Sequence, residues 1–224
     1  MSELFSIQLQ NRQQQGGDGV WLDLPTTTEQ VQVALRQIGI SSDNPQGLFI
    51  SGYFAEEEKR FAISYNMVLA SNVNELNFLA SRLETLSTGE RAELNAALQA
   101  PQSELFSIGR ITDFPENVDY YVHLPDVHGP AQLGDYYLNR SGMVNMPEEW
   151  KGGIDTAQFG RYVAQQEQGA FTQYGYLVKS GDEWQKVHEG QPVPEEYRVL
   201  SFPAPEVLRD SANIPPPVQL SLIH

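Results

Sequence analysis

The stretch from 154 to 179 carries, in order, the signals of a helix, a helix end and a strand. Asp155 is a favourable N-cap residue, and apolar residues recur behind it at helical spacing. Gly169 is predicted to end this helix in a left-handed conformation, which glycine adopts without steric cost. The aromatic and β-branched residues of 170–178 then predict one strand. This order of elements predicts an α/β unit in the C-terminal part of the chain.

The first 66 residues have the pattern of a small β-β-α-β unit. Apolar and polar residues alternate in each predicted strand, as in strands with one buried face. Thr26 is predicted to cap the helix, with Glu29 reaching back to complete a capping box, and Gly39 is predicted to end it. The unit is expected to end near Asn66. The predicted strands are 5–9, 20–24 and 48–54.

Residues 67–122 are predicted to be mainly helical. Asn72 with Glu75, and Ser87 with Glu90, have the spacing of capping boxes in front of leucine-rich helices. A short loop joins these two helices, which predicts an antiparallel helical hairpin. A short helix between 108 and 114 and a strand at 120–124 are predicted to follow.

Residues 123–203 are predicted to form a C-terminal α+β domain, with its last strand at 197–202. A short helix or strand is also predicted at 133–138. Prolines are frequent in 204–224, and we expect this tail to lack fixed structure. The fold class predicted from these patterns is α+β, with three small modules along the chain.

The charge balance limits the partners of this chain. Its formal net charge is −15 at pH 7, which argues against direct binding to nucleic acids or anionic membranes because both are polyanions. Basic partners, bound metal ions or simple solubility are the remaining explanations of the charge. From 111 to 139 five acids occur without any lysine or arginine between them.

The location of the protein is predicted from three absences. The chain contains no cysteine, which rules out disulfides and thiolate metal sites and fits a reducing compartment. The N-terminal sequence has neither the basic nor the apolar region of a signal peptide. No stretch approaches the roughly 20 apolar residues of a membrane-spanning helix. We therefore expect a cytoplasmic protein.

The residues that could carry chemistry are few. His123, Asp126 and His128 have metal-ligand side chains, but their spacing is not that of a helical metal motif, and surface histidines in a loop are the favoured explanation. The sequence has no G-x-S-x-G motif and no serine beside a suitable histidine and acid. These patterns predict neither an enzyme nor a cofactor.

Three stretches of the sequence are similar to one known family. The first, Gly19 to Pro25, contains Gly19, Trp21 and Asp23 before a helix, and the second runs from Asn74 to Ala80. The third lies within 154–176, with its motif at 159–161 and an aromatic pattern after Gly169. In this order the stretches resemble the ArdA antirestriction proteins, and the resemblance covers most of residues 1–200.

The resemblance implies a slender protein of three small domains that dimerises through one end and imitates bent B-form DNA. Such proteins occupy the DNA-binding groove of type I restriction-modification enzymes. The implied domains are 1–66, 67–122 and 123–203, followed by the tail.

The resemblance also implies that exposed acids take the place of DNA phosphates. The candidate acids are Asp113, Glu116, Asp119, Asp126, Asp135, Glu148, Glu149 and Asp155, together with Glu56, Glu57, Glu58, Glu75, Glu84, Glu90 and Glu93. An acidic adaptor for another basic, DNA-associated protein is the alternative hypothesis, and a metal-dependent enzyme built on His123, Asp126 and His128 is a third.

Overall fold

The computed structural model describes residues 4–14, 17–57, 60–101 and 103–201, and its architecture is mixed α+β. The strands are β1 (Phe5–Asn11), β2 (Val20–Leu24), β3 (Leu48–Phe54), β4 (Tyr121–Leu124), β5 (Ala170–Thr172) and β6 (Gly175–Lys179). The helices are α1 (Thr28–Gln37), α2 (Tyr65–Leu69), α3 (Val73–Glu84), α4 (Thr88–Gln99), α5 (Ile108–Thr112), α6 (Pro130–Asp135), α7 (Glu148–Lys151) and α8 (Thr156–Glu167). The predictions for Glu58 and for the tail 204–224 lie outside the described residues. Within the described ranges, no helix has the length and apolar character needed to cross a membrane.

The N-terminal sheet is antiparallel with the strand order β2-β1-β3, and the β-β-α-β order is confirmed. Its inner face is covered by α1, through Val31 and Leu35. The predicted capping box is shifted by one residue: Thr27 is the N-cap, and Gln30 closes the box. The physical reason is tertiary: the backbone N–H of Thr26 donates to the Asn77 side chain at 2.7 Å, so it is not available to Glu29 for the predicted box.

Two capping boxes in the central region are confirmed. Asn72 with Glu75 starts α3, and Ser87 with Glu90 starts α4, as the spacing predicts. The two helices follow each other along the chain, but their main backbone contacts are with other elements: α3 with α5 and β2, and α4 with β4 and β6. The short helix α2, which precedes α3, was not predicted.

The C-terminal sheet is antiparallel with the order β4-β6-β5, and Asp155 caps α8 as predicted. The predicted glycine stop is wrong, because Gln168 has the left-handed conformation, with φ of 56°. Gly169 has a different role: a Cβ there would overlap the hydroxyl group of Tyr176. The single strand predicted over 170–178 is a hairpin, in which β5 and β6 are joined by a turn that ends at Gly175 with φ of 119°.

The last predicted strand, 197–202, is also wrong over its described part. A turn of 3-10 helix (Glu195–Tyr197) is followed by an irregular segment that ends at Ser201. This segment does not need a strand partner because Asn74 of α3 satisfies its backbone. The Asn74 side chain accepts from the N–H groups of Val199 and Leu200, both at 2.9 Å, and donates to the Leu200 carbonyl at 2.7 Å.

The buried residues in the described ranges form two hydrophobic clusters. The larger one contains residues from Leu4 in the first predicted domain to Leu200 near the end of the third. The smaller one is built around Val127, Leu133 and Tyr176, between the C-terminal sheet and α6 and α8. The division into three domains stays a prediction.

Candidate partner-binding surface

The predicted acids differ in how far their side chains reach solvent. One group is exposed: Glu56, Glu57, Asp119, Asp126, Glu148, Glu149 and Asp155. A second group is partly exposed: Glu75, Glu84, Glu90, Glu93, Glu116 and Asp135. The prediction that Asp113 is exposed is wrong, because it is buried with 0% of its surface accessible.

Asp113 has a structural role in place of a surface role. Its carboxylate accepts from the backbone N–H of His188 at 2.6 Å and of Glu189 at 3.2 Å. These bonds fasten the loop around residue 188 to the end of α5. Since a buried carboxylate satisfied in this way cannot reach a partner protein, Asp113 does not belong to the candidate surface.

Asp119, Asp126 and Glu149 are exposed acids at three separate positions of the fold. Asp119 lies in a 3-10 turn (Val118–Tyr120) whose last residue is buried, so the acid points outward from the turn. Asp126 lies in the turn after β4, beside the buried Val127. Within the described ranges, none of these three acids has an ion-pair partner.

Three further acids are paired with cations. Glu116 pairs with Arg82 of α3, which is partly buried. Asp135 pairs with Arg140 at 2.6 Å, and Glu148 pairs with Lys151 at 2.6 Å. The contact with Arg140 also holds the pKa of Asp135 below its ordinary value. The pairs at Asp135 and Glu148 are solvent-exposed on the acid side and contribute about 0–1 kcal/mol, so an incoming arginine can replace the internal cation there.

Three acids at helix starts bind backbone or cap groups of their own helix. Glu75 accepts from the N–H of Asn72, and Glu90 accepts from the N–H of Ser87. Hydrogen bonds from the Ser87 hydroxyl and backbone keep the pKa of Glu90 below its ordinary value. Asp155 accepts from two N–H groups of α8. Each still has a negative charge, which the positive end of the helix dipole favours.

Glu93 differs from the other candidate acids because its pKa lies well above the ordinary value of a glutamate. Burial, together with the nearby negative charges of Glu90 and Asp119, raises its pKa to about 8. One of its carboxyl oxygens is buried and has no hydrogen-bond partner in the described part of the chain. Glu93 therefore adds no full charge to the surface at neutral pH.

The proposed histidine site is not assembled in the structure. The Nε2 atom of His123 lies 2.7 Å from the carbonyl oxygen of Tyr174, so this nitrogen carries a proton and has no lone pair for a metal. Among the residues that the structure describes, no group of three or more His, Cys, Asp or Glu is placed to hold a metal ion.

Sequence patterns did not identify one partly buried carboxylate, that of Glu167. It accepts from the hydroxyl of Tyr137 at 2.5 Å and from that of Tyr176 at 3.0 Å. Burial, together with the negative charge of Glu167, raises the pKa of both tyrosines. The only sequence signal was the tyrosine pattern after Gly169, which indicated packing without indicating the partner.

A second unpredicted cluster surrounds Arg110, which is buried. Its guanidinium group binds Glu104 at 3.1 Å and Glu189 at 3.3 Å. It also stacks over the rings of Phe106 and Trp184. These two acids are partly exposed but paired with Arg110, so they do not extend the candidate surface.

The site features define a class of protein with an acidic surface, in which many separate elements contribute carboxylates. A comparison with family models gives the class a name, because the model of the antirestriction protein (ArdA) matches residues 17–178. The chain belongs to the ArdA family. All three motif stretches lie within the matched range, and the resemblance predicted from them is confirmed. A comparison with curated proteins found no match.

Proposed function

We propose that this protein inhibits type I restriction-modification enzymes by imitating B-form DNA, with surface carboxylates in the DNA-binding groove of the enzyme. Membership in an antirestriction family supports an action against restriction. The observation that carries the mechanism is the set of exposed carboxylates without internal cations, represented by Asp119, Asp126 and Glu149.

The magnitude of the charge fits this role. Duplex DNA has one negative charge per roughly 1.7 Å of its axis, so a net charge of −15 corresponds to about 25 Å of duplex. A homodimer, which we include in the proposal, would have twice this charge and match about 50 Å. The lysines and arginines that bind DNA phosphates without regard to sequence would bind carboxylates in the same way.

The acids of the proposed surface do not contribute equally. We expect the largest contributions from acids without internal cations, and smaller ones from Glu116, Asp135 and Glu148, whose own cations must first be displaced. Glu56, Glu57, Glu75, Glu84, Glu90 and Asp155 would extend the surface. Asp113 is excluded by its burial, and Glu93 contributes only at alkaline pH.

The partners follow from the same electrostatics. We propose a cytoplasmic protein that binds the restriction enzyme directly, without catalysis of its own and without a cofactor. It would not bind nucleic acid, because the charge that makes it resemble DNA also repels DNA.

Phage plating on a host with a type I system, with and without expression of this protein, tests the function. We expect restriction to fall when the protein is present. Unchanged restriction across several type I families would contradict the proposal and favour the acidic adaptor, which would bind another basic, DNA-associated protein.

A charge variant tests the mechanism with the purified enzyme. The triple variant Asp119→Asn, Asp126→Asn, Glu149→Gln should weaken inhibition and reduce the salt dependence of inhibition by roughly one unit of logarithmic slope per charge removed. Each single substitution should have a small effect. The matched control keeps all three charges (Asp119→Glu, Asp126→Glu, Glu149→Asp) and should inhibit like the unmodified protein.

A further inference from the structure

The strand β2 has a free edge. The order of the N-terminal sheet is β2-β1-β3, so within the described residues β1 is the only strand that pairs with β2. Alternate backbone N–H and C=O groups of an edge strand point away from its sheet, and they can pair with an added strand. This edge lies next to helix α1.

A groove of about 330 Å³ runs between the free edge and α1. The side of the strand contributes Trp21 and Asp23, and the side of the helix contributes Glu29, Val33 and Ala34. Val33 is 47% exposed although it is apolar. The charged residues that line the groove are acids, with no lysine or arginine among the lining residues.

Trp21 is held in a fixed position on the outer face of the sheet. Its ring packs edge-on against Phe54, and its Cη2 atom would lie 3.0 Å from a Cβ on Gly52, so the missing side chain of Gly52 gives the ring its place. Half of the Trp21 surface is nevertheless accessible. Asp23 lies on the same face, where it accepts a hydrogen bond from the Ser6 hydroxyl at 2.9 Å.

An added strand would present its side chains alternately to these two environments. Successive side chains of a strand point to opposite faces. One set would lie beside Trp21 and Asp23, where a cation gains a cation–π contact with the indole ring and a cross-strand ion pair with the carboxylate. The other set would point toward Val33 and Ala34 of α1, where a small apolar side chain is favoured.

We propose that this groove binds an extended segment of a partner protein, which adds as a strand to β2 and has arginine or lysine alternating with small apolar residues. Charge complementarity selects this occupant, because acids are the only charged residues that line the groove. The inference does not rest on the imitation of DNA, since it concerns a different surface and a directional, backbone-mediated contact.

The probe is a fluorescently labelled nine-residue peptide in which arginine alternates with valine, and binding to the full chain is measured by fluorescence anisotropy. We expect the peptide to bind and a peptide with glutamate in place of arginine not to bind. Methylation of alternate backbone nitrogens should weaken binding by about 10-fold or more, because strand addition needs those N–H groups. Hydrogen exchange at the amides of 20–24 should slow when the peptide is bound.

Two variants test the walls of the groove. Trp21→Ala should weaken binding by roughly 3-fold, and Asp23→Asn by roughly 2-fold, because the asparagine oxygen can still accept from Ser6 while the charge is lost. The matched controls are Trp150→Ala and Asp43→Asn, an exposed tryptophan and an exposed aspartate elsewhere. They should bind like the unmodified chain.

Several results would overturn this inference. They are the absence of peptide binding, equal binding of the methylated peptide, and equal loss in the control variants. Displacement of the probe by a synthetic peptide of residues 202–224 would assign the groove to this chain's own C-terminal segment. A self-association that Val33→Asp abolishes would assign it to a second copy. None of these results changes the phage-plating test, so the two proposals can fail separately.

Discussion

Gly134 of α6 and Gly160 of α8 lie directly against each other where the two helices cross. A Cβ on Gly160 would overlap the carbonyl oxygen of Pro130 and lie 2.8 Å from the backbone nitrogen of Gly134. A Cβ on Gly134 would overlap the carbonyl oxygen of Thr156 in the same way. Gly160, the glycine of the family motif at 159–161, is therefore a packing residue.

Gly160→Ala should lower the free energy of unfolding by about 1–3 kcal/mol, because the helices must separate to admit the methyl group. Gly89→Ala in α4 is the matched control, since nothing lies within 4 Å of a Cβ at that position. This control should raise the stability by about 0.5–1 kcal/mol, because alanine favours helix. Chemical denaturation of both variants measures the difference, and a shift of the same sign in both would contradict this account of the crossing.

Asp113→Asn should lower the free energy of unfolding by about 2–4 kcal/mol. It removes no group of the candidate partner-binding surface, because Asp113 is buried. An amide group in this buried position turns one oxygen acceptor into a donor that faces the N–H groups of His188 and Glu189. Asp119→Asn removes the same charge from an exposed site and should change the stability by less than about 0.5 kcal/mol. Thermal unfolding of the two variants separates the roles, and equal losses would contradict the assignment of Asp113 as structural.

The stability of the protein should fall as the pH rises from about 4.5 to about 8, because of Glu93. The folded state keeps the Glu93 proton up to a pKa of about 8, whereas the unfolded chain releases it near the ordinary value of 4.5. Between these two pKa values the chain must take up a proton at Glu93 when it folds. The free energy of folding therefore becomes less favourable as the pH rises. Because Glu93 is partly solvated, we expect a loss of roughly 1–2 kcal/mol.

Glu93→Gln removes this titration. The variant should match the unmodified protein near pH 5 and exceed its stability above pH 8, as measured by chemical denaturation across the range. Glu149→Gln, on an exposed helix, is the control and should preserve the pH dependence. Parallel profiles for the unmodified protein and Glu93→Gln would show that Glu93 is not the titrating group.

Tyr137→Phe and Tyr176→Phe should each cost about 1.5–3 kcal/mol of stability, since each removes a hydrogen bond to the carboxylate of Glu167. The two bonds share one acceptor, so we expect the double variant to differ from the sum of the single ones. A double-mutant cycle by urea denaturation measures this coupling energy. Strict additivity would mean that the two tyrosines act independently.

Local sequence signals predicted the elements whose ends are determined by nearby residues. The capping boxes that begin at Asn72 and Ser87 are confirmed, because the two residues of each box lie only three positions apart. The box at the start of α1 was shifted because Thr26 binds Asn77, which is 51 residues away. The helix stop at Gly169 was misassigned for a related reason: the glycine there makes room for Tyr176.

The candidate surface was predictable in composition but not in detail. The sequence contains the acids, but whether an acid is available depends on distant groups, such as Arg82 for Glu116, which is 34 residues away. The prediction that Asp113 is exposed is wrong because the backbone groups that bind its carboxylate follow it by 75 residues or more. The free edge of β2 and its groove depend on the strand order, which a single sequence does not specify.

The bonds between Asn74 and the segment at Leu200 have a consequence for synthesis. The two residues are 126 positions apart, so the ribosome synthesises α3 long before it synthesises the segment at Leu200 that Asn74 binds. At roughly 5–20 residues per second, a ribosome needs about 6–25 s to cover that distance. During this interval the polar groups of Asn74 and the apolar residues that Val199 and Leu200 later cover are open to water. The N-terminal half of each newly made chain therefore passes through a period in which it is exposed to chaperones and proteases.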